Sequence, residues 1–225
     1  TATGAYPQSS LVEATNGKFY GVTQWGGVDG QGVLFEFDPV TGVVTKLHDF
    51  GWAPVPGRPI GSPMQASNGK LYGMTSYGGA HFNRGALYEY DISTSTFTVK
   101  HNFDNDGRNP EGGLIETNTD TLYGMATAGG TNDHGTIFEY IVSTGTLTKK
   151  HDFNDPDGRN PKGSLFKATN GKLYGTTNYG GSNFQGTIFK FDILTGTHTL
   201  VHSFHGPTTG KNPWCSLVES SDGHL

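Results

Sequence analysis

The sequence predicts an all-β fold: a β-propeller, or part of one, built from four-stranded antiparallel blades of about 51 residues. Three observations carry this. A short motif recurs every 51 or 52 residues, Asn-Gly turns punctuate short apolar runs, and 35 of the 225 residues are glycine. So much glycine, with 11 prolines, a charged fraction of 16% and no collagen period, marks many tight turns between short strands.

The recurrence decides the architecture. Phe19-Tyr20-Gly21 returns as Leu71-Tyr72-Gly73, Leu122-Tyr123-Gly124 and Leu173-Tyr174-Gly175, and Leu225 falls where a fifth copy would begin. A glycine pair follows each time, at Gly26-Gly27, Gly78-Gly79, Gly129-Gly130 and Gly180-Gly181. An aromatic run comes next, then a closing His-x-Phe at His48, His101, His151 and His202.

Within a unit, the first strand covers Leu11 to Ala14, and Asn16-Gly17 turns it into a second, Lys18 to Thr23. Asn-Gly between apolar runs is the strongest short hairpin signal and implies a type I′ turn with positive φ at both central residues. The turn repeats at Asn68-Gly69, Asn170-Gly171 and, as Asp-Gly, at Asp222-Gly223, which predicts left-handed Gly17, Gly69 and Gly171. The third strand, Val33 to Asp38, passes through Thr41-Gly42 into the fourth, Val43 to Phe50. No segment longer than a turn has helical periodicity.

The units run approximately 8–60, 61–111, 112–162 and 163–213 within one repeat domain, with 214–225 starting a fifth. A four-stranded meander cannot cover both its faces, so neighbouring copies must do so, and radial stacking is the usual solution. A stacked solenoid is the alternative, although its coils are usually roughly 20–29 residues. Four units followed by one more first strand (Ser10 to Glu13 repeated as Ser216 to Glu219) predict that further blades, or a second chain, complete the ring.

A net charge of −5 with scattered basic residues gives no electrostatic footprint for nucleic acid. No apolar run is long enough to span a bilayer. The chain opens TATGAYPQ, without an initiator Met or a signal-peptide pattern, as a processed or cut chain would. The single cysteine, Cys215 beside Trp214, excludes a disulfide within the chain and reads as a small buried apolar residue.

Three sets of residues are candidate sites. Trp25, Tyr77 and Tyr179 precede the glycine pairs, with Ala128 breaking the series, and polar loops follow, carrying His81, Asn83, Asn132, His134 and Asn183. Aromatic faces beside amides suit a sugar ring, and variable loops on a regular repeat are where binding resides; the alternative is rings wedged between blades. Asn102, Asp104 and Asp106 before Gly107, and Asp155 and Asp157 before Gly158, alternate like the start of a calcium loop. Against calcium, Gly113 stands where an EF-hand has its twelfth-position glutamate, and Asp-Gly also makes simple turns. Finally, the repeated histidines could meet around a metal on a common axis, or each could serve its own blade; a position present in every unit favours architecture.

No nucleophile elbow, His-Glu-x-x-His or Walker loop occurs. Glu36, Glu89 and Glu139 repeat on the third strand, with Lys190 in the fourth copy, and alternation puts them on the surface.

Leu-Tyr-Gly, the glycine pair, the run Gly186 to Asp192 before Thr195-Gly196, His-x-Phe and the stretch Asp157 to Leu165 together resemble the choice-of-anchor GloVer tandem repeats of bacterial surface proteins, over essentially the whole chain. The layout is also similar to kelch blades. The resemblance implies secretion and attachment to the cell surface, and it implies no reaction. The expected function is therefore an extracellular or cell-surface binding or scaffold module, not an enzyme, with a glycan or another surface protein as partner and no cofactor beyond the calcium alternative. The rivals are a carbohydrate-active lyase or hydrolase on a propeller scaffold, which fold analogy alone supports weakly, and a structural subunit self-associating through blade edges.

Overall fold

The computed structural model describes residues 4–81 and 83–224, so the expected fifth copy of the motif at Leu225 lies outside the described residues. Four sheets of four strands follow one another along the chain. The first holds β1 (Val12–Glu13), β2 (Phe19–Thr23), β3 (Val33–Phe37) and β4 (Val44–Asp49); the second β5 (Met64–Gln65), β6 (Leu71–Thr75), β7 (Ala86–Asp91) and β8 (Thr96–Asn102). The third holds β9 (Ile115–Asn118), β10 (Thr121–Ala126), β11 (Thr136–Ile141) and β12 (Thr146–Asp152); the fourth β13 (Phe166–Lys167), β14 (Leu173–Thr177), β15 (Thr187–Asp192) and β16 (Thr197–Ser203). Each sheet is a sequential antiparallel meander, the blade of a propeller. A bulge recurs between the third and fourth strands, after Leu34, Leu87, Ile137 and Ile188, and adds local twist. One helical turn, α1 (Gly206–Thr209), follows β16.

Gly17, Gly69 and Gly171 are left-handed, with φ of 76°, 81° and 79°. The hairpin turn is not type I′, however, because Asn16, Asn68 and Asn170 are absent from the left-handed region. In blade one the Gly17 N–H donates to the Ala14 carbonyl and the Ala14 N–H to the Lys18 carbonyl, at 2.9 Å each. That is a three-residue loop, a type I turn followed by one left-handed residue. The Asn16 side chain accepts the Lys18 N–H at 3.1 Å, fixing the turn locally. Blade three puts Asp120 at the left-handed position, φ 75°.

The cores lie between blades. Tyr20, Leu34 and Phe50 of blade one pack with Leu71, Tyr88 and Tyr90 of blade two, and the next two junctions repeat the arrangement. At the outward face of blade one the matching rings Phe19, Phe35 and Phe37 are only half-buried. These rings and the Tyr174, Ile188 and Phe204 face of blade four are where a further blade or edge association would act.

Hydrogen bonds reach back across each junction. Gln65 accepts the Thr15 N–H, Glu116 the Ser67 N–H and Glu219 the Thr169 N–H, while the Lys167 ammonium donates to the Thr117 carbonyl. In every case a side chain from the opening segment of one unit holds the hairpin turn of the preceding blade.

Two further expectations are corrected. Glu89 is 7% exposed, not a surface residue. Both faces of blade two are covered by neighbours, so strand alternation there does not separate core from solvent, and Glu89 accepts a hydrogen bond from Tyr72. Cys215 is exposed instead of buried, since it lies after the last blade, in a segment that is not part of the junction cores.

Candidate functional site

The entry to each blade carries an X-Pro step whose first residue is left-handed: Tyr6, Arg58, Asn109, Asn160 and Asn212, with φ between 53° and 57°. Among residues with a side chain, asparagine is one that tolerates that conformation well. Its amide also links blades: Asn109 donates to the Ser76 carbonyl at 2.8 Å, Asn160 to Thr127 at 2.9 Å and Asn212 to Asn178 at 2.9 Å. The glycine two residues beyond the proline lets successive entry segments touch. A Cβ on Gly61 would sit 2.1 Å from the Gly112 carbonyl oxygen, and one on Gly112 2.3 Å from that of Gly163.

This close approach gathers the residue after each proline around one axial hollow of about 470 Å³. Those residues are Gln8, Ile60, Glu111, Lys162 and Trp214, all different, on a floor of glycine and serine. The Lys162 ammonium pairs with Glu111 at 3.2 Å and lies 4.4 Å from the centre of the Trp214 ring. Trp214 itself is 67% exposed. An adjoining hollow of about 360 Å³ shares Gln24, Ile60 and Glu111 and extends to Arg58, Asn109 and Tyr77. One aromatic face, one cation, one carboxylate and several amides and hydroxyls thus surround a single concavity, the usual composition of a polar-ligand site.

The Gloeobacter/Verrucomicrobia repeat family matches residues 6–225. The chain belongs to that family. No curated protein matches it. Among solved structures it is similar to the extracellular domain of BT4673 from B. thetaiotaomicron, with a TM-score of 0.65 and 15% identity over 97% of this chain and 25% of that one. It is likewise similar to TolB from Acinetobacter baumannii, with a TM-score of 0.57 and 15% identity over 85% of this chain and 42% of that one. The chain therefore spans less than half the length of either, and identities this low speak for the fold alone.

In this Gloeobacter/Verrucomicrobia repeat chain, the aromatic residues before the glycine pairs stack with arginines of the entry steps. Trp25 and Tyr77 hold the Arg58 guanidinium between them, 4.3 and 4.2 Å from the ring centres, and Arg58 also donates to Gln31 at 3.0 Å. Tyr179, 41% exposed, has Arg159 5.5 Å from its ring centre. Of the three, Tyr77 lines the hollow beside the axis. The loop residues mostly brace the fold. Asn132 donates to the Phe153 carbonyl and Asn183 to that of Phe204, while the carbonyls of Asn83 and His134 accept from Asn109 and Asn160. His81 is exposed, and its carbonyl accepts the Arg84 N–H.

The acidic loops do not converge on a common point. Asn102 accepts the Ala80 N–H, Asp104 pairs with Arg84, and Asp106 pairs with His101 at 2.7 Å. Asp155 pairs with Arg159 at 3.4 Å, whereas Asp157 meets His151 at 3.1 Å. The Asp106 carboxyl is held below the usual range although burial would raise it, because His101 and the Asp104 N–H outweigh that cost. The repeated histidines lie on fourth strands, each edge-on to the phenylalanine two residues later, and do not meet on an axis. Burial lowers His48, whose ring stacks on Phe97 of the next blade at 3.7 Å.

The axial residues escaped the sequence reading. Their signal was present: the position after the proline, next to an X-Pro step that every unit keeps, differs in every copy.

Proposed function

We propose that the chain is a cell-surface β-propeller module that binds a glycan in the axial hollow. The observation carrying this reading is the convergence of Gln8, Glu111, Lys162 and the exposed Trp214 ring on one concavity. A sugar ring can stack on Trp214 while its hydroxyls exchange hydrogen bonds with the amide, the ion pair and the serines. Surface location is supported by the resemblance of the repeats to bacterial surface proteins and by a structural relative that is an extracellular domain. Binding is favoured over hydrolysis because Glu111, the one carboxylate among the lining residues, is paired with Lys162, whereas glycoside hydrolysis commonly uses two carboxyl groups.

A glycan array followed by calorimetry tests the reading. Trp214→Ala is expected to weaken binding about tenfold, the scale of one aromatic stacking contact. A chain that binds no glycan, or a Trp214→Ala variant that binds as well as the native chain, sinks it. Assembly through blade edges is a second reading, supported by the half-buried rings Phe19, Phe35 and Phe37. Sedimentation velocity decides it: a monomer across the micromolar range rules it out.

A further inference from the structure

Three donors from two blades meet away from the axis. The His151 Nε2 lies 3.1 Å from Asp157 Oδ2, and the His198 Nδ1 lies 3.9 Å from the same oxygen. The two imidazoles are stacked, with ring centres 4.2 Å apart and planes 3° from parallel. One ligand atom from each residue lies within 4.8 Å of the others. The His198 side chain is only 6% exposed, and its Nε2 has no hydrogen-bond partner.

The repeat supplies its own control. The His–Asp pair also exists in the second unit, as His101 and Asp106 at 2.7 Å. The position of His198, two residues into the fourth strand, holds Phe97 in unit two and Leu147 in unit three. At the first junction that position places an apolar ring, Phe97, on His48. Only in unit four does an imidazole replace the apolar side chain, and there it faces a junction that already carries a histidine and a carboxylate.

We propose that His151, Asp157 and His198 form a transition-metal site, suited to zinc, at the junction of blades three and four. Two imidazoles and one carboxylate are a recognised zinc donor set, with the fourth position left to water. Zinc ligands stand about 3.3 Å apart in a tetrahedron with 2.0–2.1 Å bonds, so the donors must close by roughly 1 Å and the rings must open from their stack. The surroundings favour this. Asn154 donates to Asp157 through its N–H at 2.8 Å and its amide at 3.1 Å, orienting the carboxylate as outer-shell partners do. Phe153 and Phe189 pack against His198, with ring centres 5.6 and 5.0 Å away, and limit water at the site.

The test is calorimetric titration of the whole chain with zinc chloride, alongside cobalt(II) chloride followed by visible absorption. The native protein is expected to take up one equivalent of zinc and to give a tetrahedral cobalt spectrum. His198→Leu installs the residue that unit three carries, and should lose zinc affinity by at least about tenfold, a scale that outer-shell changes alone can reach. Asp157→Asn, which keeps an oxygen acceptor for Asn154, should weaken binding as well and keeps the proposal testable if His198→Leu fails to fold. His205→Ala, at an exposed histidine outside the cluster, should titrate like the native chain. The proposal is overturned if the native chain shows no saturable uptake and no cobalt band, or if His198→Leu and Asp157→Asn both titrate like the native chain.

Discussion

The guanidinium carbon of Arg58 lies 4.2 Å from the centre of the Tyr77 ring, at the one described entry step where a blade-linking asparagine is replaced by arginine. Arginine at φ 55° carries backbone strain that the asparagines largely avoid. Contact with Tyr77 and Trp25 offsets it by about 0.5–2 kcal/mol for a partly desolvated cation–π pair.

Arg58→Ala should therefore destabilise the fold by about 1–2 kcal/mol, and Arg58→Asn by less, since asparagine fits the left-handed backbone. Urea unfolding of the two variants measures the order, and equal losses would remove the backbone half of the explanation. Arg58→Ala should also uncover the Trp25 and Tyr77 rings, which a rise in fluorescence quenching by acrylamide would report.

At the centre of blade two, the Tyr72 hydroxyl donates to Glu89 at 2.5 Å and Lys70 pairs with the same carboxylate at 3.0 Å. Burial alone would raise Glu89, but Tyr72 and Lys70 outweigh it and hold the carboxyl below its ordinary 4.5. The stability it contributes is thus complete above pH 4.5 and is lost as the pH falls through the depressed folded value. Glu89→Leu, which leaves a buried hydroxyl without its acceptor, should cost about 1–3 kcal/mol, and Glu89→Gln should cost less. Melting temperatures at neutral pH and at low pH check both the cost and its flattening in the Gln variant.

The histidine cluster gives the opposite chemistry with the same sign. His198 falls from 6.5 unfolded to about 4 folded, so the unfolded chain binds the extra proton between those values. Stability is complete above pH 6.5 and declines as the pH falls towards 4, a decline that His198→Leu should remove. Chemical denaturation from pH 7 to 4 reads it directly; a Leu variant with an unchanged slope would contradict the assignment.

Apart from Gly171 itself and its two chain neighbours, nothing lies within 4 Å of the point where a Cβ on Gly171 would stand, so substitution there isolates the backbone term. Gly171→Val should lose about 1–2 kcal/mol or more, and Gly171→Asn much less. Comparable melting temperatures for the two would show that the turn relaxes out of the left-handed region.

The strands were legible because the motif returns at an almost constant step and each Asn-Gly separates two apolar runs. The turn type was not, because Asn-Gly serves both a two-residue type I′ loop and the three-residue loop closed between Ala14 and Lys18. Glu89 was misread because alternation assumes one wet face, and blade two, packed between two neighbours, has none. The site divides similarly. Trp25, Tyr77 and Tyr179 were visible as aromatic residues beside glycine pairs, but the arginine that occupies two of those rings comes from the entry step of the next unit. Trp214, Lys162 and Glu111 are brought together by glycines that allow backbone contact between units, a relation that composition does not reveal.

The reach of each blade to the hairpin before it has a consequence for synthesis. Thr15 waits for Gln65, which the ribosome adds 50 residues later, and Ser67 waits likewise for Glu116. At about 5–20 residues per second, every hairpin emerges with its turn unfastened for roughly 3–10 s. Consolidation must then trail translation by one unit, sweeping from the N-terminal side, so that an arrested nascent chain always ends in a blade that is formed but still loose.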